Sequence, residues 1–303
     1  MKTLVVLTGP TGVGKTELSL RIAEKLGSPI INCDSRQVYK EMPTGTAAPT
    51  QEQLSRVKHY FVGTKSIHES YSAAKYETDA LQLLESLFST LDTIVVTGGS
   101  MLYIDALCKG IDDMPDISPE IRQQLQLEYQ TFGLAPLLKE LEACDPVYHQ
   151  QVDQNNYKRV IHGLEIFRQT HQPFSSFRKD TAKIRPFQIV KICINRDRAE
   201  LYRRIDERVE QMVLDGFEQE ARNLYAFRHL NALNTVGYKE FFAYFDGTSS
   251  LKQTISSIQF NTHKYARKQL TWFKKDTDYH WFHPTAFDKI MELIEKSGEK
   301  GLI

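Results

Sequence analysis

The chain has 303 residues, 41% hydrophobic and 25% charged, the balance of a folded globular protein larger than one average domain. Its 38 basic and 38 acidic side chains cancel to a formal charge of zero, so bulk charge recruits no partner and any nucleic-acid surface must be a local patch. No apolar run approaches the ~18 residues of a membrane span, and the scattered Cys33, Cys108, Cys144 and Cys193 lack the C-x-x-C spacing of a zinc site or redox pair and read as buried free thiols of a reducing, cytoplasmic setting.

Thr3–Thr8 is predicted as a short buried strand, and Gly14–Leu26 has the apolar spacing of a helix. Between them Gly9, Pro10, Thr11, Gly12, Val13, Gly14, Lys15 and Thr16 fit the phosphate-loop pattern G-x-x-x-x-G-K-[ST]. Glycines let successive backbone N–H groups face inward around an anion, and the following helix adds the positive end of its dipole. Lys15 can bridge terminal phosphates and the Thr16 hydroxyl suits Mg²⁺. Because this motif interrupts the apolar run, residues 1–20 read as structure and not as a secretory leader. Taken alone, the loop fits ATP binding, phosphoryl transfer or another transferase.

Pro29–Cys33 is a second short apolar run, which places Asp34 at its carboxyl end, the edge that faces the ligand crevice in an open parallel sheet. Tyr71–Thr90 has helical spacing, Thr93–Thr97 is a β-branched run ending at Gly98-Gly99, and Leu102–Leu107 begins another helix. No carboxylate follows "TIVVTGGS", which disfavours a motor or switch ATPase. The Pro- and Asp-rich Met114–Pro119 opens a mostly helical stretch, Pro186–Asn195 returns as a strand, and from Arg198 onward the chain reads as helical with breaks at Gly237 and Gly247. The expected fold is α/β, a P-loop NTPase-like parallel sheet flanked by helices, with a catalytic core over 1–113 and 186–303 and a helical insertion over 114–185.

At this point the chain resembles a known family. "GPTGVGKT" followed by "INCDSRQVYKEMPTGTAAP" is similar to the tRNA dimethylallyltransferases, also called tRNA isopentenyltransferases, of bacterial type. "HYFV", "YSAAKY", "TGGSMLYIDALCKG", "DPVYHQQVDQNNYKRVIHGLEIFRQTHQPFS", "DRAELYRRIDERVEQMVLDGFEQEARNL", "NTVGYKEFF" and "YARKQLTWFKK" follow in the family's order, over roughly residues 3–275. The chain departs from the family pattern at Ser100, where Thr is usual, at Cys33, where Ala is usual, and at His162 and His263, where Arg is usual. Neutral His supplies neither a permanent charge nor a bidentate fork, so weaker phosphate contacts are expected at the last two.

The resemblance implies transfer of a dimethylallyl group from dimethylallyl diphosphate to N6 of the adenosine beside the tRNA anticodon, position 37, with release of diphosphate. The phosphate loop would then hold a leaving group, with Mg²⁺ sharing its charge. Arg204 and Arg208, four apart on "LYRRIDERV", would lie on one helix face as a further diphosphate clamp. Asp34 would be the general base and Thr11 its hydrogen-bonding partner near the amine. The anticodon stem-loop would meet Asp34, Ser35, Arg36, Gln37, Ser100, Arg122, Lys158, Arg159, His162, Gly237, Tyr238 and Lys239. It would also meet Arg267, Lys268, Gln269, Trp272 and Lys274, where basic and aromatic residues interleave, although such a stretch by itself more often places its aromatics in a core. A monomer is expected. The rival readings are an adenylate isopentenyltransferase, a small-molecule P-loop kinase with the helical insertion as a lid, and a non-enzymatic RNA-binding protein.

Overall fold

The computed structural model describes residues 2–179 and 181–299. In chain order its elements are β1 (Thr3–Thr8), α1 (Lys15–Leu26), β2 (Ile30–Asn32), α2 (Gln51–Arg56), β3 (His59–Tyr60), α3 (Ala73–Phe88), β4 (Thr93–Thr97) and α4 (Met101–Lys109). Five helices follow: α5 (Pro119–Phe132), α6 (Leu134–Cys144), α7 (Pro146–Gln151), α8 (Tyr157–Thr170) and α9 (Phe174–Phe177). The chain continues through β5 (Gln188–Ile194), α10 (Arg198–Leu214), α11 (Phe217–Leu224), α12 (Tyr238–Phe245), α13 (Leu251–Phe273), β6 (His280–Phe282) and α14 (Phe287–Glu299).

The strands form one parallel sheet in the order β3-β2-β4-β1-β5-β6. Val5 of β1 faces Val95 on one side and Val190 on the other. Leu4, Val5, Val6 and Leu7 are wholly buried, which is why this strand reads as a continuous apolar run and not as an alternating one. Each such side chain contributes about 1.5–3 kcal/mol by leaving water. The short strands β3 and β6 extend the sheet at its two edges, and the second corrects the expectation that everything beyond Arg198 is helical. "HWF" is too short for any periodicity to reveal.

Two compact units result, one of the chain up to Lys109 together with the chain from Ile184, the other Gly110–Lys183. The second has its own core, in which Leu125, Leu141, Val160 and Leu164 are wholly buried. Arg168 on α8 forks to Glu128 on α5 at 2.7 Å and to Glu140 on α6 at 2.6 Å. Asp145, almost fully buried, accepts from the Tyr148 N–H at 3.0 Å and from the Ser175 N–H and hydroxyl, both at 2.7 Å, so it fixes the start of α7 to α9. No helix among the described residues is long and apolar enough to cross a membrane.

Candidate functional site

Parallel pairing delivers four strand ends to one edge of the sheet: β1 runs into Gly9, β2 into Asp34, β4 into Gly98–Ser100, and β5 into Arg196. A cavity of about 640 Å³ opens there, with Thr11, Asp34, Ser35, Arg36, Ser100 and Arg208 in its wall. Ile205, Val209 and Met212 of α10 and Ile258 of α13 supply apolar surface, and Lys239, Lys264 and Lys268 supply cations. A smaller hollow of about 290 Å³ shares Ser35, Arg36, Ser100 and Tyr265 with it.

The Gly9–Thr16 segment runs from the end of β1 into the first turn of α1. Gly14, in a left-handed conformation at φ 104°, is the N-cap of α1, so Lys15 and Thr16 begin the helix. Lys15 Nζ donates to the carbonyls of Gly9 and Pro10, both at 2.9 Å. Burial, followed by the charge of Arg208, lowers its pKa to about 8. Arg204 and Arg208 do share one face of α10: Arg204 Nε donates to the Gly12 carbonyl at 3.0 Å, and Arg208 Nη1 to Thr11 Oγ1 at 3.3 Å. Burial pushes the Arg208 guanidinium down as well, opposed by Asp34 and reinforced by Arg204.

Asp34 is held by the turn it starts. Its Oδ1 accepts from the backbone N–H of Arg36 at 2.9 Å and of Gln37 at 3.4 Å. One carboxylate oxygen therefore fixes the loop, and Asp34 stands in the cavity wall. Ser100 ties this loop to the next one, since its Oγ accepts from the Ser35 N–H at 2.8 Å and donates to Ser35 Oγ at 3.0 Å. Arg36 Nη1 donates to the Asn231 carbonyl at 3.0 Å.

Other residues expected at an RNA surface are wholly or partly packed into the protein, Gly237 among them although it also lines the cavity. Gln269 is 1% exposed, its Oε1 accepting from the Thr11 N–H at 2.9 Å and its Nε2 donating to the Gly99 carbonyl at 2.8 Å. A Cβ on Gly99 would come within 2.4 Å of that Nε2, so a glycine is required for the contact. Tyr238 is wholly buried against Phe217, its hydroxyl donating to Glu220 Oε1 at 2.6 Å, and Gly237 is packed so closely that a Cβ would meet the Phe217 ring at 2.6 Å. Gln37 Nε2 donates to the carbonyls of Thr46 and Ala47 at 3.1 Å. Gln269 and Tyr238 are committed inside the protein, because a buried polar group needs its partner there, and Gln37 is half-buried with its amide taken. Trp272 is partly buried and donates from Nε1 to Asp105 at 2.8 Å, whereas Arg267 and Lys268 of α13 and Lys274, its C-cap, are exposed. Burial alone would raise the neighbouring Asp276 carboxyl, but hydrogen bonds from Lys109 and Lys191 hold it at about 2, fixing the turn after α13.

Arg122, Lys158, Arg159 and His162 belong to the helical unit and are exposed there, His162 lying 3.3 Å from Glu165. His263 is stacked on Tyr202 with centroids 4.0 Å apart, and its Nε2 lies 2.8 Å from Asp206 Oδ1. Sequence reasoning missed Arg196, whose Nε donates to the Val13 carbonyl at 2.8 Å, and Glu220, whose two oxygens accept from the Thr44 and Gly45 N–H groups at 2.8 Å and so hold a loop of the cavity wall. Arg196 at least follows a strand end, which was a usable signal. Glu220 has none, since it is an ordinary acidic residue of an amphipathic helix.

With this geometry in hand, the chain matches the family model for IPP transferase over residues 37–276. It is 58% identical over 296 residues to tRNA dimethylallyltransferase 2 of Parabacteroides distasonis, covering 98% of this chain and 99% of that protein. It is 42% identical to the tRNA dimethylallyltransferase of Cytophaga hutchinsonii over 294 residues, 97% of each. Among solved structures it is similar to the full-length tRNA isopentenylpyrophosphate transferase of Bacillus halodurans, with a TM-score of 0.73 and 31% identity over 99% of this chain and 98% of that one.

Proposed function

The chain belongs to the IPP transferase family, and on that premise we propose that its cavity brings dimethylallyl diphosphate on the phosphate loop against an adenosine of tRNA presented to Asp34. The reaction is transfer of a dimethylallyl group to N6 of the adenosine beside the anticodon. The allylic C–O bond breaks, the C–N bond forms, diphosphate leaves, and the N6 proton passes to Asp34. The observation that carries this reading is the meeting of Thr11, Asp34 and Arg208 in one cavity wall at the ends of β1 and β2 and on α10.

Each group has a task that its chemistry suits. The loop N–H groups, Lys15, Arg204 and Arg208 oppose the charge that grows on the diphosphate as the bond breaks. Thr11, whose hydroxyl already receives Arg208, stands between the diphosphate side and the amine side. Asp34, with Oδ1 fixed by two backbone N–H groups, offers its second oxygen to the amine without reorganising. No cluster of His, Cys, Asp or Glu able to hold a metal occurs among the described residues. A divalent cation of this family's reaction, magnesium in our reading, would be held by the Thr16 hydroxyl and the diphosphate oxygens, the donor set Mg²⁺ commonly takes. It would share the charge of the leaving group.

The base reaches the cavity only if it leaves the anticodon stack, and Lys239, Lys264 and Lys268 at the cavity supply cations for the neighbouring phosphates. In this reading the exposed Arg122, Lys158 and Arg159 of the helical unit also contact tRNA, and the protein acts as a monomer. Incubation with dimethylallyl diphosphate, Mg²⁺ and unmodified tRNA, followed by nucleoside mass analysis, should yield N6-dimethylallyladenosine. Transfer to AMP in place of tRNA would overturn the reading.

A further inference from the structure

The phosphate-loop pattern accounts for Lys15, and α10 contributes Arg204 and Arg208, but a third guanidinium lies on the same loop. Arg196 follows β5, the strand next to β1, and its side chain is 14% exposed. The contacts form a series along the loop: Arg208 reaches Thr11, Arg204 reaches Gly12, and Arg196 reaches Val13. Arg196 Nη1 is paired with Glu200 at 2.5 Å and its Nε is taken by the Val13 carbonyl, which leaves Nη2. That Nη2 lies 3.5 Å from the point where a Cβ on Gly14 would stand, and Arg204 Nη2 lies 3.9 Å from the same point. Two guanidinium ends therefore converge beside the residue that caps α1, and the N-terminal end of a helix favours an anion.

We propose that Arg196 is a diphosphate-binding residue, acting with Arg204 as a two-guanidinium clamp on the lip of the phosphate loop. The proposal rests on the donor-site reading above. It adds a residue that the loop pattern and the α10 arginines do not announce, contributed by the loop after β5. The neighbouring cations of this loop burden one another, since after burial Arg208 lowers Lys15 and Arg204 lowers Arg208. A bound diphosphate relieves that repulsion, and a guanidinium can keep its bond to Val13 while turning another N–H to a phosphate oxygen. Arg196 does not line the cavity that holds Asp34 and Thr11, so its effect belongs to donor affinity and not to proton transfer.

Binding of inorganic pyrophosphate to the full chain, measured by calorimetry for the wild type, R196Q and R196K, tests this. Loss of a hydrogen bond to a charged group predicts about tenfold weaker pyrophosphate binding in R196Q. R196K should fall between, because an ammonium keeps the charge but loses the fork. In steady-state assays the KM for dimethylallyl diphosphate should rise by a similar factor in R196Q, while kcat and the KM for tRNA change little. A purely structural role would instead lower kcat and melting temperature together. R196Q that binds pyrophosphate as tightly as the wild type overturns the inference alone. A wild type that binds none overturns the donor-site reading and this clamp with it.

Discussion

The Gly9–Thr16 loop and the stretch Tyr265–Lys274, at the end of α13 and its cap, contribute to the wall of the same cavity, yet they hold their polar groups in opposite ways. In the loop, neighbours in sequence are neighbours in space, and Lys15 folds back onto the Gly9 carbonyl, so Gly9–Thr16 is one local unit. On α13, consecutive residues point in different directions. Lys268 lines the cavity, Gln269 is buried between Thr11 and Gly99, and Trp272 reaches Asp105. A basic–aromatic segment that looks like one RNA-binding surface is thus divided by helical periodicity into surface cations and an internal brace.

That contrast can be tested. The largest effect is expected at the strand ends: Asp34→Asn keeps an acceptor for Arg36 and Gln37 but removes the base, so kcat should fall by about 10²–10⁴-fold with pyrophosphate binding retained. Full activity in that variant would remove Asp34 from the mechanism. Next comes the brace. Gln269→Leu leaves the Thr11 N–H and the Gly99 carbonyl without partners, and urea unfolding should show a loss of about 2–4 kcal/mol. If instead Gln269→Leu is as stable as the wild type and only tRNA affinity falls, then Gln269 belongs to the RNA surface after all. Tyr238→Phe asks the same question of α12, where removing the hydroxyl from Glu220 should cost about 1–3 kcal/mol of stability.

Smaller effects separate the two regions further. Lys15 has a folded-state pKa of about 8, below its ordinary 10.5, so between those values the unfolded chain binds more protons and stability rises with pH. A bound anion favours the charged ammonium, so pyrophosphate binding near pH 9 should take up protons, visible as a dependence of the calorimetric heat on buffer ionisation. Absence of uptake would mean that Lys15 does not meet the anion. Least of all, Lys274→Ala on the exposed end of the stretch should change tRNA affinity only a few-fold, in a salt-dependent manner, with kcat unchanged.

The sheet was legible wherever a strand is buried on both faces. Thr3–Thr8 and Thr93–Thr97 match their expected bounds because an apolar or β-branched run ends in glycine in each case, while β6 was hidden by its three-residue length and its edge position. Asp34 could be placed from its position after β2 alone. Arg196 also follows a strand end, but its partner Val13 is remote in sequence, so the strand end alone did not reveal the contact.

By itself the sequence determined the local devices, namely the phosphate loop, the carboxylate at a strand end and the arginines one helical turn apart, because each depends on spacing within a few residues. The tertiary structure alone decided which polar side chains are spent inside the protein. Gln269, Tyr238 and Glu220 take their roles from partners far away in sequence, and the need to satisfy a buried polar group is settled only when the chain has folded around it.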